Sequence, residues 1–146
     1  MRIVIQRVKQ ASVKVDGQVT GAIGPGLLVL LAIARTDSEK DADYLIEKVL
    51  GIRIFPDDSH RMNLDVRDVR GSLLIVSQFT LYGDARRGRR PSYDLAAGPA
   101  EAEKLYQYFV NTARNTGIQV ETGVFRASMQ VHLVNDGPVT LICDSV

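Results

Sequence analysis

The chain has no tryptophan, one cysteine, two histidines and almost no net charge. A lone Cys143 excludes an internal disulfide, and its place beside Leu141 and Ile142 reads as a small buried hydrophobe. His60 and His132 sit in neither an HxxxH nor a CxxC-type spacing, so no metal centre and no cofactor is expected. A formal charge of +1 gives no global case for nucleic-acid binding, so any such case must come from local clusters. No apolar run approaches the roughly 18 residues of a membrane span. Arg2 interrupts the opening where an export signal needs apolar residues, so the expectation is a cytoplasmic protein with no membrane association. The usual catalytic signatures are missing too: there is no GxSxG elbow, HExxH, P-loop or GxGxxG.

What is present fits one domain over residues 1–146, long enough to bury a core without disulfides or metals. Residues 2–8 read as a strand, and Ser12-Val13-Lys14-Val15 alternates polar and apolar. Asp16-Gly17 supplies a two-residue hairpin turn, and the chain returns toward Ile23. Leu27 to Ala34 is apolar on both faces, as in a central strand covered from both sides. Ser38 with Asp41 forms a capping box ahead of Ala42, Leu45, Ile46, Val49 and Leu50, a helical stripe ended by Gly51. Residues 60–71 are polar and poorly periodic, a loop with one short strand. Pro99 opens a second helix with the stripe Ala102, Leu105, Tyr106, Phe109, Val110 and Ala113, capped by Gly117. Strands follow at 118–121, 129–133 and 139–142. The fold class is therefore α+β, a largely antiparallel β-sheet system with two amphipathic helices packed against it.

Between those helices, Leu73 to Val76 runs into Ser77-Gln78-Phe79-Thr80-Leu81-Tyr82, where a buried strand ends in hydroxyls, an amide and backbone N–H groups. Such a cluster at a strand end suits a ligand, although polar groups satisfying one another would look the same. Ser77 or Thr80 as a nucleophile needs a base, and neither histidine can be placed beside them from sequence. Arg86, Arg87, Arg89 and Arg90 crowd an exposed, mobile loop, either as a solvated face or as phosphate contacts. Pro138 removes an N–H donor where the last strand begins, marking an edge or a special turn. Only about 5–6% of X-Pro bonds in folded proteins are cis, so sequence alone favours trans there.

The segments Met1 to Val8, Ile23 to Leu28, Met62-Asn63-Leu64, Ser77 to Tyr82, Gly88 to Ser92 and Asn135-Asp136-Gly137-Pro138-Val139-Thr140 together resemble the D-aminoacyl-tRNA deacylases, end to end. The resemblance implies a barrel-like deacylase fold and a homodimer acting on the aminoacylated 3′ end of tRNA. It implies that Ser77, Gln78, Phe79 and Thr80 form the catalytic segment, and that Gly137 and Pro138 of the other subunit enter it through a cis peptide bond. Their carbonyls would capture the substrate's amino group and leave no room for an L side chain, while glycyl-tRNA would pass. Arg7 would brace the Gly-Pro carbonyls, Met129 would line the pocket, and the arginines at 86, 87, 89 and 90 would meet tRNA. The missing base points to backbone N–H groups near Phe79 and Thr80 with help from the substrate's ribose hydroxyl, against Thr80 as a covalent nucleophile. One departure stands out: Arg126 occupies a position where the family resemblance leads one to expect glycine. A non-catalytic tRNA-binding module and a small-molecule esterase are the competing functions.

Overall fold

The computed structural model describes residues 1–145. Strand β1 (Arg2–Val15) is one continuous element where the sequence suggests two pieces. It can run so long because two partners share one of its edges: β3 (Gly26–Ala32) pairs with residues 2–8, and β2 (Gln18–Ile23) with residues 11–15. The Asp16-Gly17 turn between β1 and β2 has positive φ at both residues, 50° and 78°, as a tight hairpin requires. The other edge of β1 carries the last strand, β8 (Gln130–Asp144), which also unites segments that read as separate in sequence.

Helix α1 (Glu39–Gly51) starts at Ser38 with the expected capping box and buries Ala42, Leu45, Ile46, Val49 and Leu50. A two-stranded piece, β4 (Phe55–Pro56) with β5 (Met62–Leu64), follows before β6 (Ser72–Ser77). Helix α2 (Pro99–Asn115) begins at its proline and leads to β7 (Val120–Thr122). Each helix therefore connects two strands of the main sheet, and those pairs, β3 with β6 and β6 with β7, are parallel. A helical crossover returns the chain in the same direction, which makes the sheet mixed while the pairings around β1 stay antiparallel.

The order β2-β1-β3-β6-β7 curls until its end strands nearly meet. A Cβ on Gly21 of β2 would lie 2.4 Å from the Thr122 carbonyl of β7, so only glycine permits that approach. The nearly closed, barrel-like sheet has two packed faces. Ile3, Ile5, Leu27, Val29, Leu31, Leu73 and Ile75 meet the helices, joined by Tyr106, Phe109 and Val110. Val8, Val13, Leu28, Leu74 and Val76 pack on the opposite face. β3 and β6 feed both, hence their unbroken apolar runs. Cys143 is half-buried, and burial pushes its thiol pKa up. No helix is long and apolar enough to cross a membrane among the described residues.

Candidate active site

β6 ends at Ser77, and the chain turns at once into a 3₁₀ helix, Phe79–Tyr82. Both ends of this turn are tied to the sheet. The Gln78 N–H donates to the Leu31 carbonyl at 2.8 Å, at the end of β3. The Arg2 guanidinium donates to the Leu81 carbonyl at 3.2 Å and stacks over the Tyr82 ring at 5.4 Å. Burial, with Asp37 and Asp144 nearby, pushes the Tyr82 phenol up to about 12.

Some of the polar groups do satisfy one another, since the Gln78 amide donates to the Thr80 hydroxyl. Others do not. The Gln78 side chain caps no backbone N–H of the 3₁₀ turn, and among the described residues the N–H groups of Phe79 and Thr80 find no acceptor. A helix start leaves its first donors free in this way. The Ser77 hydroxyl likewise has no protein partner among the described residues.

Ser77, Gln78 and Phe79 line a cleft of about 680 Å³ together with Leu31, Ile33 and Met129. Tyr93 closes one side by an edge-on contact with Phe79, ring centroids 5.0 Å apart at 66°. The Ala97 N–H donates to the Ile33 carbonyl at 2.9 Å and the Arg35 N–H to the Leu95 carbonyl at 3.1 Å, which fix that wall against the end of β3. The lining is mostly apolar, holds two arginines, Arg35 and Arg126, and includes no carboxylate and no histidine. His132 borders a different groove, and His60 lies in an exposed turn. Thr80 itself stands just outside the lining, on the turn that frames it.

The second segment of interest interrupts β8. Gln6 faces Thr140 and Val8 faces Asn135, so residues 136–139 loop out opposite Arg7 alone. This is a β-bulge expanded to hold the Gly-Pro pair. Its peptide bond Gly137-Pro138 is cis, against the trans expectation from sequence alone. Gly137 has φ 144°, and a Cβ there would lie 2.8 Å from Val139 Cγ2, so both backbone and space demand glycine. Arg7, 8% exposed, braces the loop by donating from Nε to the Asp136 carbonyl at 2.8 Å, one residue ahead of the pair, and from Nη1 to the Ile54 carbonyl. Asn135 staples it from the other side. Its carbonyl oxygen accepts from the Val139 N–H at 2.8 Å, and its amide donates to the Thr140 hydroxyl at 3.0 Å. Gly137, Pro138 and Arg7 are absent from the lining of the Ser77 cleft.

The arginine loop is exposed, with its neck joined by reciprocal backbone bonds between Asp84 and Ser92 at 2.7 and 3.0 Å. Arg86 folds back onto Asp84 through both guanidinium and backbone N–H. Those bonds hold the Asp84 carboxyl down at about 2. Arg87, Arg89 and Arg90 make no such pair among the described residues. Tyr93 and Arg35 were not singled out by sequence reasoning, and Asn135 was named only as part of its motif, without its bracing role. Only Asn135 carried a signal, two residues before Gly137-Pro138.

Among the described residues no group of three or more His, Cys, Asp or Glu is placed to hold a metal ion. The chain matches the family model described as D-Tyr-tRNA(Tyr) deacylase over residues 4–144. It is 59% identical over 145 residues to a D-aminoacyl-tRNA deacylase of Solibacter usitatus, covering 99% of this chain and 96% of the relative. A D-aminoacyl-tRNA deacylase of Geobacter sulfurreducens is 58% identical, with 99% and 95% covered. The solved structure titled c-Myc DNA Unwinding Element Binding Protein superposes with TM-score 0.94 at 39% identity, covering 100% of this chain and 99% of that one. A probable eukaryotic D-amino acid tRNA deacylase shares the fold, with TM-score 0.85 at 18% identity over 98% of both chains. A match spanning nearly every residue, with a strand-end cleft and a braced Gly-Pro bulge at the motifs that suggested it, places this chain in the D-Tyr-tRNA(Tyr) deacylase family.

Proposed function

We propose that the chain, working as one domain over residues 1–146, is a D-aminoacyl-tRNA deacylase that hydrolyses the ester between a D-amino acid and the terminal ribose of tRNA. The observation that carries the chemistry is the pair of N–H groups at Phe79 and Thr80 that have no partner among the described residues, beside an apolar cleft with no histidine and no carboxylate in its lining. As water attacks the ester carbonyl, those donors stabilise the developing oxyanion. The neighbouring ribose hydroxyl orients the water and relays its proton. The carbon–oxygen ester bond then breaks, the ribose oxygen takes the proton, and free amino acid and tRNA leave. Thr80 acts through its backbone, because its hydroxyl accepts from the Gln78 amide and has no base beside it among the described residues.

Chirality is read by a second copy of the chain. The Gly137-Pro138 bulge lies outside the lining of its own subunit's cleft, so a partner's bulge is the one available to cover it. The outer edge of β8 has no strand partner among the described residues, and Val134 and Ile142 on it are 44% and 69% exposed. A free edge with exposed apolar side chains suits association with another copy. In the homodimer the Gly-Pro carbonyls bind the substrate's amino group, an L side chain collides with them, and glycyl-tRNA is accepted. Arg7 and Asn135 keep the bulge in shape, and Met129 packs the cleft wall.

The test is release. Incubation with D-tyrosyl-tRNA and L-tyrosyl-tRNA is expected to free tRNA from the D ester alone, with sedimentation at the mass of two chains. Binding without release would instead make the protein a tRNA-binding module, and hydrolysis of free amino-acid esters with indifference to RNA would make it a small-molecule esterase.

A further inference from the structure

Four residues, Val124 to Ala127, form a tight turn in which the Ala127 N–H donates to the Val124 carbonyl at 3.1 Å. Arg126 stands third in it with φ 65°, and Phe125 before it is not in the positive region. That is the type II arrangement, whose third position suits glycine. A side chain there costs about 1 kcal/mol relative to glycine. Among the described residues the Arg126 guanidinium makes no ion pair and no hydrogen bond. It lines the Ser77 cleft, in which the other cation, Arg35, donates from Nε to the Ala96 carbonyl at 3.3 Å. Among the described residues the cleft thus presents one uncommitted guanidinium, on a hydrogen-bonded turn, with no carboxylate in the lining to neutralise it.

We propose that Arg126 is a substrate-positioning residue, holding the phosphodiester on the 5′ side of the terminal nucleotide while the ester lies at Ser77 to Phe79. The inference rests on the deacylase reading of this cleft. In such a substrate the reacting end carries an ammonium and a neutral ester. The nearest fixed negative charge is the phosphate on the same ribose. A guanidinium matches phosphate oxygens with two parallel donors, and here the turn fixes where its side chain leaves the backbone beside the cleft. This contact differs in kind from those of the loop arginines, because it acts on the reacting nucleotide itself.

The experiment compares two substrates, D-tyrosyl-adenosine without phosphate and the same ester carrying a 5′-phosphate diester to cytidine, on wild type, Arg126→Gly, Arg126→Gln and Arg126→Lys. Wild type is expected to favour the phosphate-bearing ester about tenfold in kcat/KM, the scale of one charge-assisted contact. Arg126→Gly and Arg126→Gln should erase that preference through KM with kcat unchanged, and Arg126→Lys should restore part of it. Arg126→Gly should also melt no lower than wild type, which separates lost contact from lost structure. Equal effects on both substrates, or none on either, would overturn the assignment. With the matching D-aspartyl esters added as a third arm, a loss confined to them would overturn it too, by making the partner a side-chain carboxylate. If wild type cleaves neither ester nor D-tyrosyl-tRNA, the deacylase reading itself fails and this inference falls with it.

Discussion

Replacing Arg7 tests whether the Gly-Pro bulge is held from beneath. The guanidinium is nearly buried and donates to two carbonyls, those of Asp136 and Ile54. A hydrogen bond from a charged donor contributes about 1.5–3 kcal/mol, and truncation strands acceptors that have lost their water. The nearby Asp136 carboxylate, at 3.7 Å and 40% exposed, adds less than about 1 kcal/mol. Arg7→Ala should therefore cost about 3–5 kcal/mol. With a urea slope of about 2 kcal/mol/M, the unfolding midpoint falls by roughly 2 M, measured by circular dichroism at one fixed protein concentration. Arg7→Lys keeps the charge but reaches one carbonyl at best, so about half the loss is expected. The functional readout is the ratio of D- to L-tyrosyl-tRNA hydrolysis, which should fall in both variants as the bulge loosens. A stability change under about 1 kcal/mol would refute the bracing role. A large stability loss with the D-to-L ratio intact would refute the link between bulge geometry and chirality.

Three further outcomes follow from the site. Thr80→Ala should keep kcat within about tenfold of wild type, because only the hydroxyl bonded to Gln78 is lost; a drop of roughly a thousandfold or more in single-turnover assays would make Thr80 the nucleophile. Joint replacement of Arg87, Arg89 and Arg90 by alanine should lower the slope of log affinity for tRNA against log salt by about two, at about 0.7–0.9 per phosphate contact, whereas Arg86, committed to Asp84, should matter less. Unchanged affinity and slope would leave that loop a solvated face. Asp84 titrates at about 2 rather than its ordinary 3.8, so its contribution to holding the loop is present above 3.8 and is lost as pH falls toward 2. Carboxyl NMR should show that low midpoint in wild type and a normal one in Arg86→Ala.

Much of this protein is set by residues close together in the chain. The stripe behind Ser38, the proline that opens α2, the positive-φ pair Asp16-Gly17 and the two-faced apolar runs of β3 and β6 are local patterns. Each is satisfied by local geometry. The strand-end cluster at Ser77 was legible for the same reason, since apolar periodicity stops and polar groups begin there. Other features depend on partners far away in sequence. That β3, β6 and β7 run parallel follows from helices closing crossovers, which no local pattern encodes. β1 stays one strand through its pairings with β2, β3 and β8, β8 through its pairing with β1, and the cis bond at Gly137-Pro138 belongs to a bulge braced by Arg7 of the paired strand. Arg86 looked like its three neighbours until Asp84 claimed it, and Arg126 was an oddity of sequence until the fold turned it into the cleft. Short-range order is written in residue spacing, but which donors stay free and which charges stay unpaired is decided only when distant segments pack together.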